Sequence, residues 1–182
     1  GHLRPSTSTD GGVGRVSAAG AMPLATEPDV DPVSLNAVTR MSDVAVPTQQ
    51  LATAYPDSIR ASKVWNTGMR ATGKGITVAV IDTGVAGDLP DFLGPDGKSR
   101  VIASATVHPN ATNATDGVGH GTHVAGLIAG NGGYRSGTLK GKYIGAAPDA
   151  NLVSIKISDD RGDTTVADVI AGLQFAVEHK SD

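Results

Sequence analysis

The sequence contains no cysteine and few aromatic residues, and both absences narrow the possible functions. Without cysteine, the chain has no disulfide framework, no thiolate metal site and no cysteine nucleophile. Aromatic residues make up only 3% of the 182 positions, so a core must be built from Ala, Val, Ile and Leu packed among 24 glycines. Small residues of this kind suit helices that lie close against a sheet.

Long apolar runs and clusters of basic charge are also missing. No stretch approaches the roughly 18 consecutive apolar residues of a transmembrane helix. A net charge of −3 without any Lys/Arg run gives no electrostatic footprint for nucleic acid or an acidic membrane surface. We therefore expect neither nucleic acid nor a membrane among the partners. No apolar segment typical of a signal peptide is present either, so an export signal is expected upstream of residue 1.

Residues 1–50 differ in composition from the remainder of the chain. They are rich in Pro, Ser, Thr and Gly, a composition typical of segments that cannot bury enough apolar surface to fold. We interpret residues 1–50 as a flexible extension or a propeptide remnant, with one short strand predicted at Val44–Val46. The compact part of the chain is expected at residues 51–182.

Three β-branched or apolar runs predict strands within this compact part. The most pronounced run, Ile76–Ile81, leads directly into Asp82 and is typical of a buried parallel strand. Two further strands are predicted at Val101–Ala103 and Leu152–Ile157.

Helical patterns alternate with these strands. Helices are predicted over residues 58–66, with Gly68 as the stop signal, over 121–129 and over 165–179. Thr165 and Asp168 resemble a capping box at the start of the last helix. That helix carries its apolar side chains on one face: Val166, Val169, Ile170, Leu173, Ala176 and Val177. The alternation of strands and helices indicates an α/β fold with a parallel sheet.

Three polar side chains could carry chemistry on this framework. Asp82 ends the strongest strand, at the carboxyl edge where ligands bind in parallel sheets, although an aspartate there also commonly accepts hydrogen bonds from the next turn. His120 begins a glycine-flanked helix, where an imidazole with a pKa of about 6.5 suits proton transfer. His123 is expected to pack or bond locally. The two histidines could also bind a metal, but no third ligand is close in sequence.

Three sequence blocks together indicate a protein family more specifically than any one of them does alone. They are AVIDTGV at residues 79–85, HGTHVAG at 120–126 and IGAAP at 144–148. These blocks resemble the subtilisin-like serine proteases, the subtilases of peptidase family S8, and the resemblance covers about residues 57–182. It implies a three-layer α/β fold with a mostly parallel sheet, present here as its N-terminal half, and the function of a secreted serine endopeptidase.

The resemblance also implies roles for individual residues. Asp82 would orient His120, and His120 would act as the general base for a serine. The loop at residues 160–164 would lie at the substrate cleft, where an extended peptide pairs with the backbone, with Gly162, Asp163 and Thr164 as substrate-binding residues. Asp163 or Thr164 would also suit the cap of the following helix.

The sequence departs from the family pattern because it has no block resembling Gly-Thr-Ser-Met-Ala. The nucleophilic serine and the oxyanion-stabilising Asn are therefore expected outside these residues, on a truncated part or on a second chain, and the chain alone is predicted to be inactive. No cofactor is predicted. Many relatives bind calcium, for which Asp91 is the closest match, but the loop at residues 130–140 is long and basic, so calcium is not favoured.

Three other functions remain as alternatives. The Asp-Thr-Gly triplet at residues 82–84 also occurs in aspartic proteases, but that chemistry needs two carboxylates and only one such triplet is present. A nucleotide-binding module is the second alternative, although the glycines at 84 and 87 lack the dinucleotide spacing. The third is a non-catalytic scaffold or binding chain that keeps part of a protease fold.

Overall fold

A computed structural model describes residues 4–5, 12–13, 51–67, 70–133 and 136–180. The chain divides into two units, residues 1–39 and 40–182. In the first unit, strands β1 (Arg4–Pro5) and β2 (Gly12–Val13) pair antiparallel. The predicted strand at 44–46, like most of the predicted extension, lies outside the described residues. Among those that are described, no helix is long and apolar enough to cross a membrane.

The second unit contains a three-stranded parallel sheet. Its strands are β3 (Thr77–Asp82), β4 (Val101–Thr106) and β5 (Asn151–Lys156), in the spatial order β3-β5-β4. The predicted parallel sheet is confirmed, and β4 extends three residues beyond its prediction. The prediction that the first strand is buried is wrong for the described part of the chain: β5 is central, whereas β3 lies at an edge and only Val80 among its residues is buried.

Helix α3 (His120–Ala129) covers one face of this sheet. Its Ala125 is fully buried in a cluster that includes Val80 of β3 and Leu152 of β5. The alanine allows a close approach of the helix, as the small-residue composition predicted.

Helix α4 (Val166–Glu178) covers the opposite face and completes three layers, as predicted. The contact is made by Gly172, where an added Cβ would lie 2.5 Å from the side chain of Ile157 and 2.8 Å from that of Ile81. The predicted capping box is present, because Thr165 Oγ1 accepts from the N–H of Asp168 and the Asp168 carboxylate accepts from the N–H of Thr165. The bulky side chains of the predicted apolar face do not make this contact and are exposed among the described residues: Val166, Val169, Ile170, Leu173 and Val177.

The single helix predicted over residues 58–66 is wrong. The chain instead forms two short helices, α1 (Tyr55–Ser58) and α2 (Ala61–Trp65). They are separated by Arg60, whose φ of 61° is left-handed and cannot continue a right-handed helix. Trp65 is fully buried and donates its indole N–H to the carbonyl of Ala146 at 2.9 Å, so this contact anchors the segment. The predicted stop at Gly68 lies outside the described residues.

We expect the side chain of Ser154, on the central strand β5, to lower the free energy of unfolding. Its side chain is fully buried, and its Oγ has no hydrogen-bond partner among the described residues. Because an unpaired buried hydroxyl is unfavourable by about 1–3 kcal/mol, Ser154→Ala is expected to raise the free energy of unfolding by about 1 kcal/mol, measured by urea denaturation. Ser158→Ala is the matched control and should lower stability, because the Ser158 hydroxyl donates to the carbonyl of Asp159 at 3.0 Å. Equal losses in both variants would contradict the interpretation of Ser154.

Candidate active site

The two residues predicted to act together are in direct contact. Asp82 is the last residue of β3 and His120 is the first of α3, and Asp82 Oδ1 lies 2.7 Å from His120 Nδ1. Because a carboxylate only accepts hydrogen bonds, the neutral imidazole must carry its proton on Nδ1, which leaves the lone pair of Nε2 free. The side chain of His120 is 65% exposed and that of Asp82 only 16%, so the imidazole is accessible to solvent whereas the carboxylate is mostly buried.

Asp82 also determines the basicity of His120. The hydrogen bond to Asp82, followed by the negative charge of the same carboxylate, raises the pKa of His120 above its ordinary value, and the charge of Asp116 adds to the effect. A raised pKa means that the imidazole binds a proton more strongly. This is the property that a general base requires when it removes a proton from an alcohol.

Glycines allow β3 and α3 to approach closely enough for this contact. A Cβ on Gly121 would lie 2.1 Å from the carbonyl oxygen of Gly84 and 3.1 Å from the Cβ of Asp82. Gly119, immediately before the helix, has a φ of 97°, which a residue with a side chain rarely adopts. Gly121 therefore has a direct steric role beside the Asp82–His120 pair, whereas Gly119 is needed for its backbone conformation.

Asp116, four residues before His120, was missed by the sequence analysis. Its carboxylate accepts hydrogen bonds from two hydroxyls, those of Thr83 (2.9 Å) and Thr122 (2.6 Å). It also accepts from the backbone N–H groups of Val118 (3.0 Å), Gly119 (2.7 Å) and Thr122 (2.8 Å). Partial burial acts to raise the pKa of this carboxyl, but the hydrogen bonds outweigh burial and lower the pKa to about 2. A polar residue just ahead of a helix whose N-cap is glycine is a signal that could have identified it.

A cavity of about 370 Å³ lies beside the Asp82–His120 pair. His120 lines it together with Gly162 and Thr164 of the loop that follows β5, so the structure brings these predicted residues together, whereas Asp163 is not among the lining residues. Several residues that the sequence analysis did not single out also line the cavity: Ile81, Thr83, Val118, Ile157, Ser158 and Arg161. A cavity of this volume has room for a peptide side chain.

The loop after β5 has a defined shape. Oδ1 of Asp159 accepts from the N–H groups of Arg161 and Asp163, at 2.8 and 2.9 Å, which folds the loop back on itself. Gly162, at the turn, has a φ of 94°. The Thr164 hydroxyl donates to a carbonyl of the preceding segment at 2.5 Å and does not cap the helix. The predicted cap at Asp163 or Thr164 is therefore wrong, since Thr165 is the N-cap.

Lys156 connects the loop before α3 to the loop after β5. Its side chain is only 1% exposed, and Nζ donates to the carbonyl of Thr115 at 3.0 Å and to Asp160 Oδ1 at 2.9 Å. Asp160 Oδ2 accepts from the hydroxyl of Thr112 at 2.6 Å. The hydrogen bond from Thr112 and then the one from Lys156 lower the pKa of Asp160 to about 2. The loop before α3 and the loop after β5 are thus joined through one buried ammonium group.

The remaining predicted polar residues lie away from this pair. His123 is exposed, which does not favour packing of its side chain, and the alternative that this side chain bonds locally stays a prediction. In the described part of the chain, no group of three or more His, Asp or Glu side chains is arranged to hold a metal ion. Asp91 lies in a short 3-10 helix, Pro90–Phe92, and the absence of calcium there stays a prediction.

Comparisons with known proteins agree with this arrangement. The Subtilase family profile matches residues 73–182. The serine protease AprX of Bacillus subtilis is 37% identical over 126 residues, which cover 69% of this chain and 26% of AprX. The minor extracellular protease Vpr of the same organism is 37% identical over 151 residues, covering 80% of this chain and 17% of Vpr. An intracellular serine protease of Paenibacillus polymyxa is 34% identical over 134 residues, covering 69% of this chain and 36% of that protein.

The chain thus spans between about a sixth and about a third of the length of these relatives. The matched region contains β3, α3, β5 and α4, with both members of the Asp82–His120 pair. A profile that covers more than half of the chain, together with the three-layer parallel architecture, establishes the family. The chain belongs to the subtilase family of serine proteases.

Proposed function

We propose that this chain provides the orienting carboxylate and the general base of a serine endopeptidase, with the nucleophilic serine supplied by residues outside 1–182. The 2.7 Å contact between Asp82 Oδ1 and His120 Nδ1 carries the proposal. Asp82 holds the imidazole in one tautomer and stabilises the imidazolium that forms. We refer below to this chain together with the polypeptide that carries the serine as the complete protease.

The chemistry follows from the free lone pair of His120. Nε2 removes the hydroxyl proton of the serine as the serine oxygen forms a bond to the carbonyl carbon of the peptide. The imidazolium then gives this proton to the leaving amine when the C–N bond breaks. A water molecule, deprotonated by the same Nε2, hydrolyses the resulting ester and releases the acid and the free serine.

We further propose that the loop at residues 160–164 binds the peptide or protein substrate. Gly162 and Thr164 support this assignment because they line the cavity next to His120. An extended peptide would pair with the loop backbone as an added strand, and Asp163 would contribute backbone groups or charge at the rim.

The site of action is proposed to be extracellular. Vpr is described as an extracellular protease, which supports the proposal, although the Paenibacillus relative is described as intracellular. Residues 1–50 are proposed to be an extension or a propeptide remnant, and the enzyme to need no cofactor.

Intact mass spectrometry under denaturing conditions tests the proposal directly. The protein, purified from cells that express its full reading frame, is measured before and after treatment with a serine-directed phosphonate. We expect a polypeptide carrying the serine to gain the mass of the probe, and a His120→Ala variant to lose this labelling. A single unlabelled species of 18.3 kDa would contradict the proposal and favour a non-catalytic scaffold.

A further inference from the structure

Asp116 is connected to the catalytic pair without touching the cavity, and its contacts suggest a specific role. We propose that Asp116 is a positioning residue that, through Thr83 and Thr122, fixes the first turn of α3 and holds the imidazole of His120 on the Asp82 carboxylate. This inference rests on the proposed function for its kinetic consequences, but its structural part can be tested on the chain alone.

The first step of the argument is the start of α3. The first backbone N–H groups of a helix have no partners within the helix, and the N-cap here is Gly119, which has no side chain to provide one. Asp116 takes over this function by accepting the N–H groups of Gly119 and Thr122 at 2.7 and 2.8 Å. Its negative charge also lies at the positive end of the helix dipole. Asp116 therefore determines where the helix begins, and His120 is the first helical residue.

The second step is the path to Asp82. The Thr83 hydroxyl donates to Asp116 at 2.9 Å and accepts the N–H of Gly121 at 2.9 Å. The backbone N–H of Thr83 donates at 2.7 Å to Asp82 Oδ1, the oxygen that also receives His120 Nδ1. Two hydrogen bonds, both made by Thr83, thus link Asp116 to the Asp82 oxygen that orients the base.

The third step is a parallel connection through Thr122. Its hydroxyl donates to Asp116 at 2.6 Å and accepts the N–H of Ala86 at 3.0 Å, which ties the loop after β3 to the first turn of α3. With the carboxylate as acceptor, each hydroxyl must point its proton at Asp116 and keep a lone pair for the N–H on its other side. Only an ionised acceptor satisfies all the donors at once, which agrees with a pKa of Asp116 of about 2.

Asp116→Asn is the informative variant because it keeps the shape of the side chain while removing one acceptor and the charge. The charged or titratable groups facing His120 are Asp82, Asp116 and, across the cavity, Arg161. In this 182-residue chain, we expect the pKa of His120, measured by NMR titration, to fall in the variant. We also expect the downfield signal of the proton between Asp82 and His120 to broaden or move upfield.

Loss of the Asp116 charge alone would also lower the pKa of His120, so the discriminating readout is the signal of the proton between Asp82 and His120, which a merely structural role would leave unchanged. Asp168→Asn provides the control because Asp168 is also a carboxylate that receives a helix-start N–H and a threonine hydroxyl, at α4. It should lower stability to a similar extent and leave the His120 titration unchanged. If Asp116→Asn leaves the proton signal between Asp82 and His120 at its wild-type position and width, the positioning role is overturned.

Thr83 provides a second test that does not depend on the folding of the Asp116 variant. Thr83→Val removes the hydroxyl that links Asp116 to Gly121 and should weaken the Asp82–His120 proton signal, whereas Thr83→Ser should retain it. An unchanged signal in Thr83→Val would refute the connection.

In the complete protease, Asp116→Asn should lower kcat by about tenfold and leave KM unchanged. The loss corresponds to one charge-assisted hydrogen bond that no longer helps to orient the imidazole of His120. A change in KM alone would overturn the proposed role. Absence of hydrolysis in the wild-type protein would contradict the proposed function and leave the NMR result to decide the role of Asp116.

Discussion

Replacing Asp82 with asparagine is expected to lower kcat of the complete protease by about ten-thousand-fold. The amide can turn its NH₂ group toward Nδ1, which then has to accept a hydrogen bond, and the proton moves to Nε2. The base is then blocked at the nitrogen that must remove the proton from the serine. The carbonyl orientation of the amide would keep the correct tautomer, but it would lack the charge that stabilises the imidazolium.

The pH dependence of this variant gives an independent readout. A general base works only when it is neutral, so activity is lost as the pH falls through the pKa of His120. Because Asp82 raises that pKa, through its hydrogen bond first and its charge second, Asp82→Asn should move the acidic limb of the kcat/KM profile to lower pH. NMR titration of His120 in the 182-residue chain should show a shift in the same direction.

Asp88→Asn is the matched control, because Asp88 is an exposed aspartate six residues along the same segment. It should leave kcat and the pH profile unchanged. If Asp82→Asn retained more than about a tenth of the wild-type kcat, Asp82 could not be the orienting carboxylate that a triad requires.

The structural elements that the sequence predicted correctly are those with strong local signals. The β-branched run before Asp82 predicts a strand, and the carboxyl edge of that strand is where a functional side chain is expected. Thr165 and Asp168 are three positions apart, and their capping box is a contact between neighbours in sequence. In both cases the partners that decide the structure are close along the chain.

The residues that the sequence did not predict depend on distant partners. Asp116 is connected to Thr83, 33 residues earlier, and Lys156 to Thr115, 41 residues earlier. The position of Asp116 ahead of a glycine N-cap signals only its contacts at the helix start. No local pattern marks the long-range contacts, because they arise only when the sheet aligns the ends of β3 and β5. Arg60 is a different case: a left-handed φ at a residue other than glycine has no reliable signal in sequence, so the break between α1 and α2 was missed.

The helix α4 illustrates a limit of periodicity. Its apolar pattern is correct, yet the contact with the sheet is made through Gly172, which a search for large apolar residues ignores. The helix lies so close to the side chains of Ile81 and Ile157 that only a residue without a side chain fits at the point of contact. The size of the residue therefore determines this contact more than its hydrophobicity does. Within the described part of the chain, the large apolar side chains of this helix are therefore exposed, and the contact that packs it on the sheet is the one at Gly172.

Gly121→Ala is expected to lower kcat/KM of the complete protease by about a hundredfold, although both Asp82 and His120 remain in the chain. Helix propensity by itself favours alanine over glycine by about 1 kcal/mol. Sterics oppose this gain, because the new Cβ would lie 2.1 Å from the carbonyl oxygen of Gly84. The backbone of Gly84 has little room to move away from Gly121. Its φ of 108° is in the left-handed region, and a Cβ added to Gly84 would lie only 2.8 Å from the carbonyl group of Thr115.

The first turn of α3 must therefore move away from β3, and His120 moves with it. A displacement of about 1 Å at a reacting group costs on the order of a hundredfold in rate, so the loss of geometry outweighs the gain in propensity. Overpacking at such a contact should also lower the free energy of unfolding by about 1–3 kcal/mol. The downfield proton signal between Asp82 and His120 should be lost or broadened in the chain alone.

Gly126→Ala makes the same chemical change five residues later in the same helix, where an added Cβ would have no atom of another described segment within 4 Å. This variant should keep the proton signal and the activity, and the propensity gain should raise its stability by up to about 1 kcal/mol. The comparison separates helix propensity from close approach, because only the second differs between the two sites. Equal effects of the two substitutions on kcat/KM and on the proton signal would show that the contact between Gly121 and Gly84 does not set the geometry of the Asp82–His120 pair.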